Sequence, residues 1–311
     1  MSPRDLAVFS LMGSFSLVLL GCGGNSSESD GPAVSYRQQV AQAQEESLAD
    51  VRAKKLIKIG YRQAKAKDTF GAEDTLKLAN KACSEVTNLA ARAGVYFLLA
   101  EAQARIGNRS PARKAIQAAQ ETIEKIDHPE TKARALAKLG RARGAIEDAA
   151  GAAESLKSAE AMAGQLKDPL GKTVVLGEVA ASYQKIGQQT ESDRVIKAAL
   201  DLAQSIKDDR TRSNAIAGIA ATQAEMKQEE AAGKTFTLAL EAAKKIESLY
   251  SRAHALIDIA QKLSAAGDHA KAHQVLDDAG PVAEKIPEVD LQKQTVQKID
   301  TLKFKLPKPR E

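Results

Sequence analysis

The chain has 311 residues and a formal charge of +5, from 45 Lys and Arg set against 40 Asp and Glu; aromatic residues make up 4% and there is no Trp. Interleaved charges with so few rings speak against nucleic acid, which is met by clustered bases and stacking aromatics. Two cysteines, Cys22 and Cys83, are too few for a disulfide framework.

Residues 1–21 read as a secretory signal. Arg4 and Asp5 precede an apolar run from Leu6 to Leu20, shorter than the about 20 residues that a membrane span takes. The run ends in Leu19-Leu20-Gly21-Cys22, which resembles the lipobox of bacterial lipoproteins. The resemblance implies a mature chain starting at Cys22, whose thiol carries diacylglycerol and whose acyl chains hold it to a membrane. Gly23 rather than Asp after the cysteine implies, by the sorting tendency of that family, a periplasm-facing place on the outer membrane. Residues 22–35 are rich in Gly, Ser and Asp and read as a flexible tether.

A polar leading helix is expected over 36–50. From 51 to 290 the sequence falls into six blocks of forty without insertion or deletion. The second position of each block is basic: Arg52, Arg92, Lys132, Lys172, Arg212, Arg252. The ninth is aliphatic (Ile59 to Ile259) and the tenth small (Gly60, Ala100, Gly140, Ala180, Ala220, Ala260). The twenty-sixth is large (Leu76 to Leu276), and the twenty-ninth is Ala in all six, from Ala79 to Ala279. Apolar spacings of three, four and seven are helical. A break near positions 17–20 makes each block two antiparallel helices, A then B. Ser110 is expected to cap the second helix B, with Pro111 at its first turn; Thr131, Thr211 and Ser251 are expected to cap A helices. Small residues at fixed columns mark helix crossings. A lone hairpin cannot bury its apolar face, so the blocks are expected to stack as an all-α, right-handed α-solenoid of six antiparallel hairpins. A C-terminal capping helix over 291–303 and a basic tail, 304–311, follow.

The columns resemble the tetratricopeptide repeat (TPR), whose large, small, aromatic, Gly and Ala positions fall here on columns 6, 9, 10, 13, 17, 22, 26 and 29. Column 17 is Gly107, Gly187 and Gly267 in even blocks but Lys67, Glu147 and Lys227 in odd ones. A left-handed non-Gly residue costs about 1 kcal/mol, so the odd turns are expected to differ. Pro281 is expected to interrupt the last helix B, and Arg143, at the aromatic column, to mark a soft point. Cys83 reads as a small buried hydrophobe.

No phosphate loop, cysteine-pair site or nucleophile motif appears, so neither enzyme chemistry nor a cofactor is implied. His269 and His273 lie one helical turn apart, a spacing that can share a metal; exposed histidines read better because Ala270 stands where a zincin has Glu. The basic column reads as pairing with local acids (Glu130, Asp168, Asp208, Asp209, Glu247) ahead of a strip of ligand-binding cations. The TPR resemblance implies a concave wall on helix A. It is lined here by Lys54, Tyr61, Lys65, Phe97, Glu101, Arg105, Arg134 and Arg141, with small residues at Gly177, Ala181, Ala217, Ala221 and Ala224. The implied function is a membrane-anchored scaffold for a protein or peptide partner. A ligand- or metal-binding module at the C-terminal repeat is the second reading, and self-association is left open.

Overall fold

The structure, a computed structural model, describes residues 35–308. The signal, Cys22 and all of the tether but Ser35 therefore lie outside the described residues. A short helix α1 (Tyr36–Gln44) comes first. Six hairpins follow: α2 (Ala49–Lys65) with α3 (Thr69–Glu85), α4 (Leu89–Arg105) with α5 (Arg109–Glu124), α6 (Pro129–Ala145) with α7 (Ala149–Gln165), α8 (Pro169–Lys185) with α9 (Gln189–Ser205), α10 (Asp209–Glu225) with α11 (Glu229–Lys244), and α12 (Leu249–Ala265) with α13 (His269–Ala283). The last helix is α14 (Val289–Lys305). Each A helix packs on its own B helix and on the A helices before and after it, while each B helix also touches the next A. The A helices thus line up as one wall with the B helices as a second layer, an all-α solenoid of paired antiparallel helices. No helix among the described residues is long and apolar enough to cross a membrane.

The invariant small columns sit at the crossings. All six column-29 alanines, Ala79 to Ala279, are fully buried. A Cβ added to Gly60 would lie 2.7 Å from Leu76 Cγ, and one on Gly140 2.6 Å from Leu156 Cγ, so these glycines let a leucine of the partner helix close the gap. Cys83 is among the buried side chains, and burial pushes its thiol up to about 12, as expected of an inert core residue.

All six A–B turns are alike, contrary to expectation. In each, the column-18 amide donates to the column-13 carbonyl (Asp68 to Gln63, Asn108 to Gln103, Asp148 to Arg143) and the column-17 amide to the column-14 carbonyl. This is the double bond of a Schellman cap, whose C′ residue is left-handed. Lys67, Glu147 and Lys227 adopt φ of 66°, 65° and 62° beside 84°, 81° and 91° at Gly107, Gly187 and Gly267. Two satisfied carbonyls per turn outweigh the strain at the three non-glycine positions.

Helix starts also differ from the expected ones. The caps of the A helices are Asn88, His128, Asp168, Asp208 and Ser248, each accepting from a backbone amide two or three residues on. Thr131, Thr211 and Ser251 are the residues whose amides are capped. Asn108 precedes α5, so Ser110 and Pro111 lie inside its first turn, whereas Pro129 and Pro169 hold the first-turn place.

The basic column has neither expected partner as its main contact. Arg92, Arg212 and Arg252 donate to the carbonyls of Val86, Ile206 and Ile246, six residues back, at 2.5, 2.8 and 2.7 Å. Lys132 and Lys172 reach eight residues back, to Glu124 and Gly164 at 2.9 and 3.3 Å. These are carbonyls at the C-terminal end of the preceding B helix, where cations complement orphan acceptors and the negative end of the dipole. Among the described residues, carboxylates assist only Arg52, through Glu85, and Arg212, through Asp209.

Two expected weak points are built in differently. Arg143, only 14% exposed, donates to Gly151 O (3.0 Å) and Ser155 Oγ (2.9 Å) of its own helix B and to Gln120 Oε1 (2.5 Å) of the preceding one. It ties three helices together at the place where a soft point is expected, with its Nε buried and unbonded among the described residues. Helix α13 runs through Pro281 and ends at Ala283, because the proline falls in the last turn, where one amide bond is lost.

The array ends on both sides in half a hairpin. Helix α1 stops at Gln44, before the expected 50, and buries Ala43 against α2. Column 5 is buried Val95, Ala135, Val175, Ala215 and Ala255 inside the array, but Lys55 in α2 is 52% exposed and bonded to Glu46 at 2.6 Å. At the other end Asp300, exposed, stands in the column where six units bury Gly or Ala. Charges at both stacking surfaces suit terminal caps.

Candidate partner-binding wall

Adjacent A helices meet in a fixed register. Residue i faces residue i+44, one repeat plus one helical turn: Arg134 meets Glu178 through two bonds of 3.0 and 2.7 Å, and His254 Nδ1 lies 3.5 Å from Lys298 Nζ. By the same offset Arg105 of α4 lies over the Tyr61 ring of α2, 6.0 Å from its centroid, with Lys65 at 5.7 Å on α2 itself. Glu101 binds Arg105 at 2.5 Å.

The structure therefore gathers Tyr61, Lys65, Glu101 and Arg105 into one patch across two units. Arg134 joins the wall through Glu178. Arg141 is exposed and close to Lys185, whose ammonium is held below its ordinary value by partial burial, then by the Arg141 cation, with Glu225 and Glu101 opposing. Lys54 stands apart from the patch, bonded to Asp50 at 2.9 Å, and Phe97 is half-buried against the core. Glu178, Lys185 and Glu225 escaped sequence reading. Lys185 and Glu225 share column 15 with Lys65 and Arg105, so the repeat itself carries their signal, whereas Glu178 becomes visible only once the offset between neighbouring A helices is known.

The small residues of the middle units serve packing. Gly177 and Ala217 are buried, and a Cβ on Gly177 would lie 3.3 Å from Thr222 Oγ1 of the next A helix. Farther along, a cavity of about 890 Å³ opens between α10 and α12, lined among others by Arg210, Asn214, Ser251 and Asp258.

His269 and His273 have separate partners, Ser264 Oγ at 3.2 Å and the Pro307 carbonyl at 3.1 Å. Among the described residues no three His, Cys, Asp or Glu side chains are grouped closely enough to hold a metal.

No protein-family model and no curated protein matches the sequence. Solved structures do resemble it. Ton1535 from Thermococcus onnurineus NA1 is 13% identical with a TM-score of 0.40, over 85% of this chain and 94% of that one. A Rap protein complexed with competence and sporulation factor is 14% identical, TM-score 0.33, over 87% and 84%. A signal transduction ATPase with a tetratricopeptide repeat sensor, from Pyrococcus horikoshii, is 17% identical, TM-score 0.33, over 86% of this chain and 41% of that one. These likenesses concern helix arrangement alone. On its own repeat spacing and helix pairing the chain is a TPR-like helical repeat.

Proposed function

We propose that the chain is a non-catalytic scaffold that holds a protein or peptide partner along the A-helix wall, and that acyl chains on Cys22 tether it to the outer membrane on its periplasmic side. The observation that carries the first part is the patch around Tyr61. An aromatic face flanked by Lys65 and Arg105, with Glu101 fixing the guanidinium, is contributed by two repeats and held in place before any partner arrives. Each further unit adds a small patch in register, which suits an extended chain. The lipid anchor rests on the Leu-Leu-Gly-Cys run at 19–22 and the polar segment after it.

A photo-crosslinking residue at Tyr61 is expected to capture one stoichiometric partner in cells, whereas the same residue at Lys114, exposed on the B layer, captures none. Capture from Lys114 alone, or from neither, overturns the wall reading. Metabolic labelling with palmitate is expected in the wild type and lost in Cys22→Ala; labelling that survives overturns the anchor.

A further inference from the structure

Building on the wall reading above, we infer that the wall recognises an extended acidic segment of its partner, with Arg141 and Lys185 forming the subsite for one carboxylate side chain. The i, i+44 register supplies the argument. Where it joins Tyr61 to Arg105 and Arg134 to Glu178, the two sides are complementary, a cation over a ring and an ion pair. The same step joins Arg141 to Lys185, two cations. Neither makes an ion pair or a hydrogen bond among the described residues; the Lys185 ammonium is held below its ordinary value by burial first and by the Arg141 cation second. Two acids, Glu225 and Glu101, act on Lys185 more weakly than Arg141 does, and Glu101 is already bonded to Arg105. A like-charged slot beside two matched ones lacks an anion, and a carboxylate bridging both cations relieves it.

The rest of the wall agrees in sign. Lys58, Lys65 and Lys138 are exposed on the A helices of the first and third units, while Glu101 and Glu178 are engaged in ion pairs. A carboxylate-bearing peptide fits better than a nucleic acid. Glu101, Glu178 and Glu225 interrupt the positive strip in the second, fourth and fifth units and would face an evenly charged phosphate backbone. Spaced Asp or Glu side chains can take the cations and miss the acids.

Fluorescence anisotropy on the full chain in detergent tests this with three labelled probes: a peptide of alternating Glu and Ser, its Gln/Ser counterpart, and an oligo-dT strand. The Glu/Ser peptide is expected to bind about tenfold more tightly than the Gln/Ser peptide. Arg141→Gln with Lys185→Gln is expected to remove that preference at an unchanged melting temperature, and Arg113→Gln with Lys114→Gln on the B layer to leave it intact. Bound Glu/Ser peptide should also raise the pH at which the Lys185 ammonium titrates by NMR. Equal binding of the two peptides, a preference that survives the double variant, or tighter binding of oligo-dT each overturns the subsite. If no peptide binds while the Tyr61 crosslinker still captures a partner, the subsite falls and the wall reading stands. If that capture fails too, both fall.

Discussion

In the hairpin α6–α7, column 13 is Arg143, which reaches Ser155 at column 25 and Gln120 on the preceding helix. In the next hairpin, α8–α9, the same two columns are Tyr183 and Val195, 1% and 0% exposed. The turn between the helices is left-handed in both, at Glu147 in one and Gly187 in the other. A polar pair and an apolar pair thus occupy one backbone. Geometry in this array is set by the crossings and the double-bonded cap, and the interior takes either chemistry; the polar positions are bonded only in part, since Arg143 Nε and Gln223 Oε1 are buried without a hydrogen-bond partner among the described residues. Unit one follows the polar pattern, with Thr75 donating to Gln63 at 2.7 Å. Column 25 runs Thr75, Ala115, Ser155, Val195, Thr235, Val275, so hydroxyls alternate with apolar residues in step with the turns.

The largest effect is expected on the apolar side. Tyr183→Ala empties a fully buried ring site and should cost about 3–5 kcal/mol. Because a solenoid can unfold in parts, hydrogen exchange of the α8 and α9 amides reports it better than a single denaturation midpoint. An effect no larger than that of an exposed alanine substitution would break the comparison.

Pairing within a unit is tested next. Ser155→Val alone removes an acceptor from the buried guanidinium of Arg143 and should cost about 1–3 kcal/mol. Adding Arg143→Tyr, which transplants the fourth unit's pair into the third, should recover most of that. A double-mutant cycle measures the coupling, and additivity within about 0.5 kcal/mol would show that the two columns do not act together.

The turns carry a smaller expectation. Gly187→Lys copies the odd-unit residue into an even unit and should destabilise by about 1 kcal/mol through left-handed strain. Glu147→Gly should change stability by less, since relief of strain is opposed by the greater freedom of glycine in the unfolded chain. Urea unfolding of the two variants checks this; an effect on Gly187→Lys indistinguishable from zero would mean the caps absorb the strain at no cost.

The forty-residue ruler, the helix pairs and the buried columns were legible because small and apolar residues repeat at crossings, and side chains carry that signal. Three features were not. The basic column binds backbone carbonyls, which every residue possesses, so Arg92 and Lys132 looked as though they needed acids nearby. The caps fell three residues before Thr131, Thr211 and Ser251 because a Ser or Thr can serve as cap or as capped neighbour; Asp208 and Ser248 were available to decide the matter. The wall could be listed residue by residue, but its pairs could not, since the offset between A helices arises from packing that no single helix encodes. Lys185 shares column 15 with Lys65 and Arg105, so its place on the wall is legible, but its position beside Arg141 is not.

The smallest effect concerns column 4, where the same register yields opposite electrostatics. Arg134 in the third unit gains Glu178, whereas His254 in the sixth faces Lys298, with Tyr250 packed on its ring at 4.4 Å. Burial first, then the Lys298 ammonium, hold the imidazole below its ordinary value; Asp258 opposes and Arg210 adds to the depression. The unfolded chain therefore binds this proton more readily than the folded one. Stability should fall as the pH drops from about 6.5, the ordinary histidine value, towards the lowered value in the fold, and the loss should level off below that. His254→Gln removes only this contribution, since the other three histidines are common to both proteins. The wild-type and variant stability curves should run parallel above about pH 7.5 and separate on acidification, with the wild type losing more. Parallel curves throughout would mean that Asp258 offsets Lys298, and that the sixth unit's column 4 is electrostatically no different from a solvated histidine.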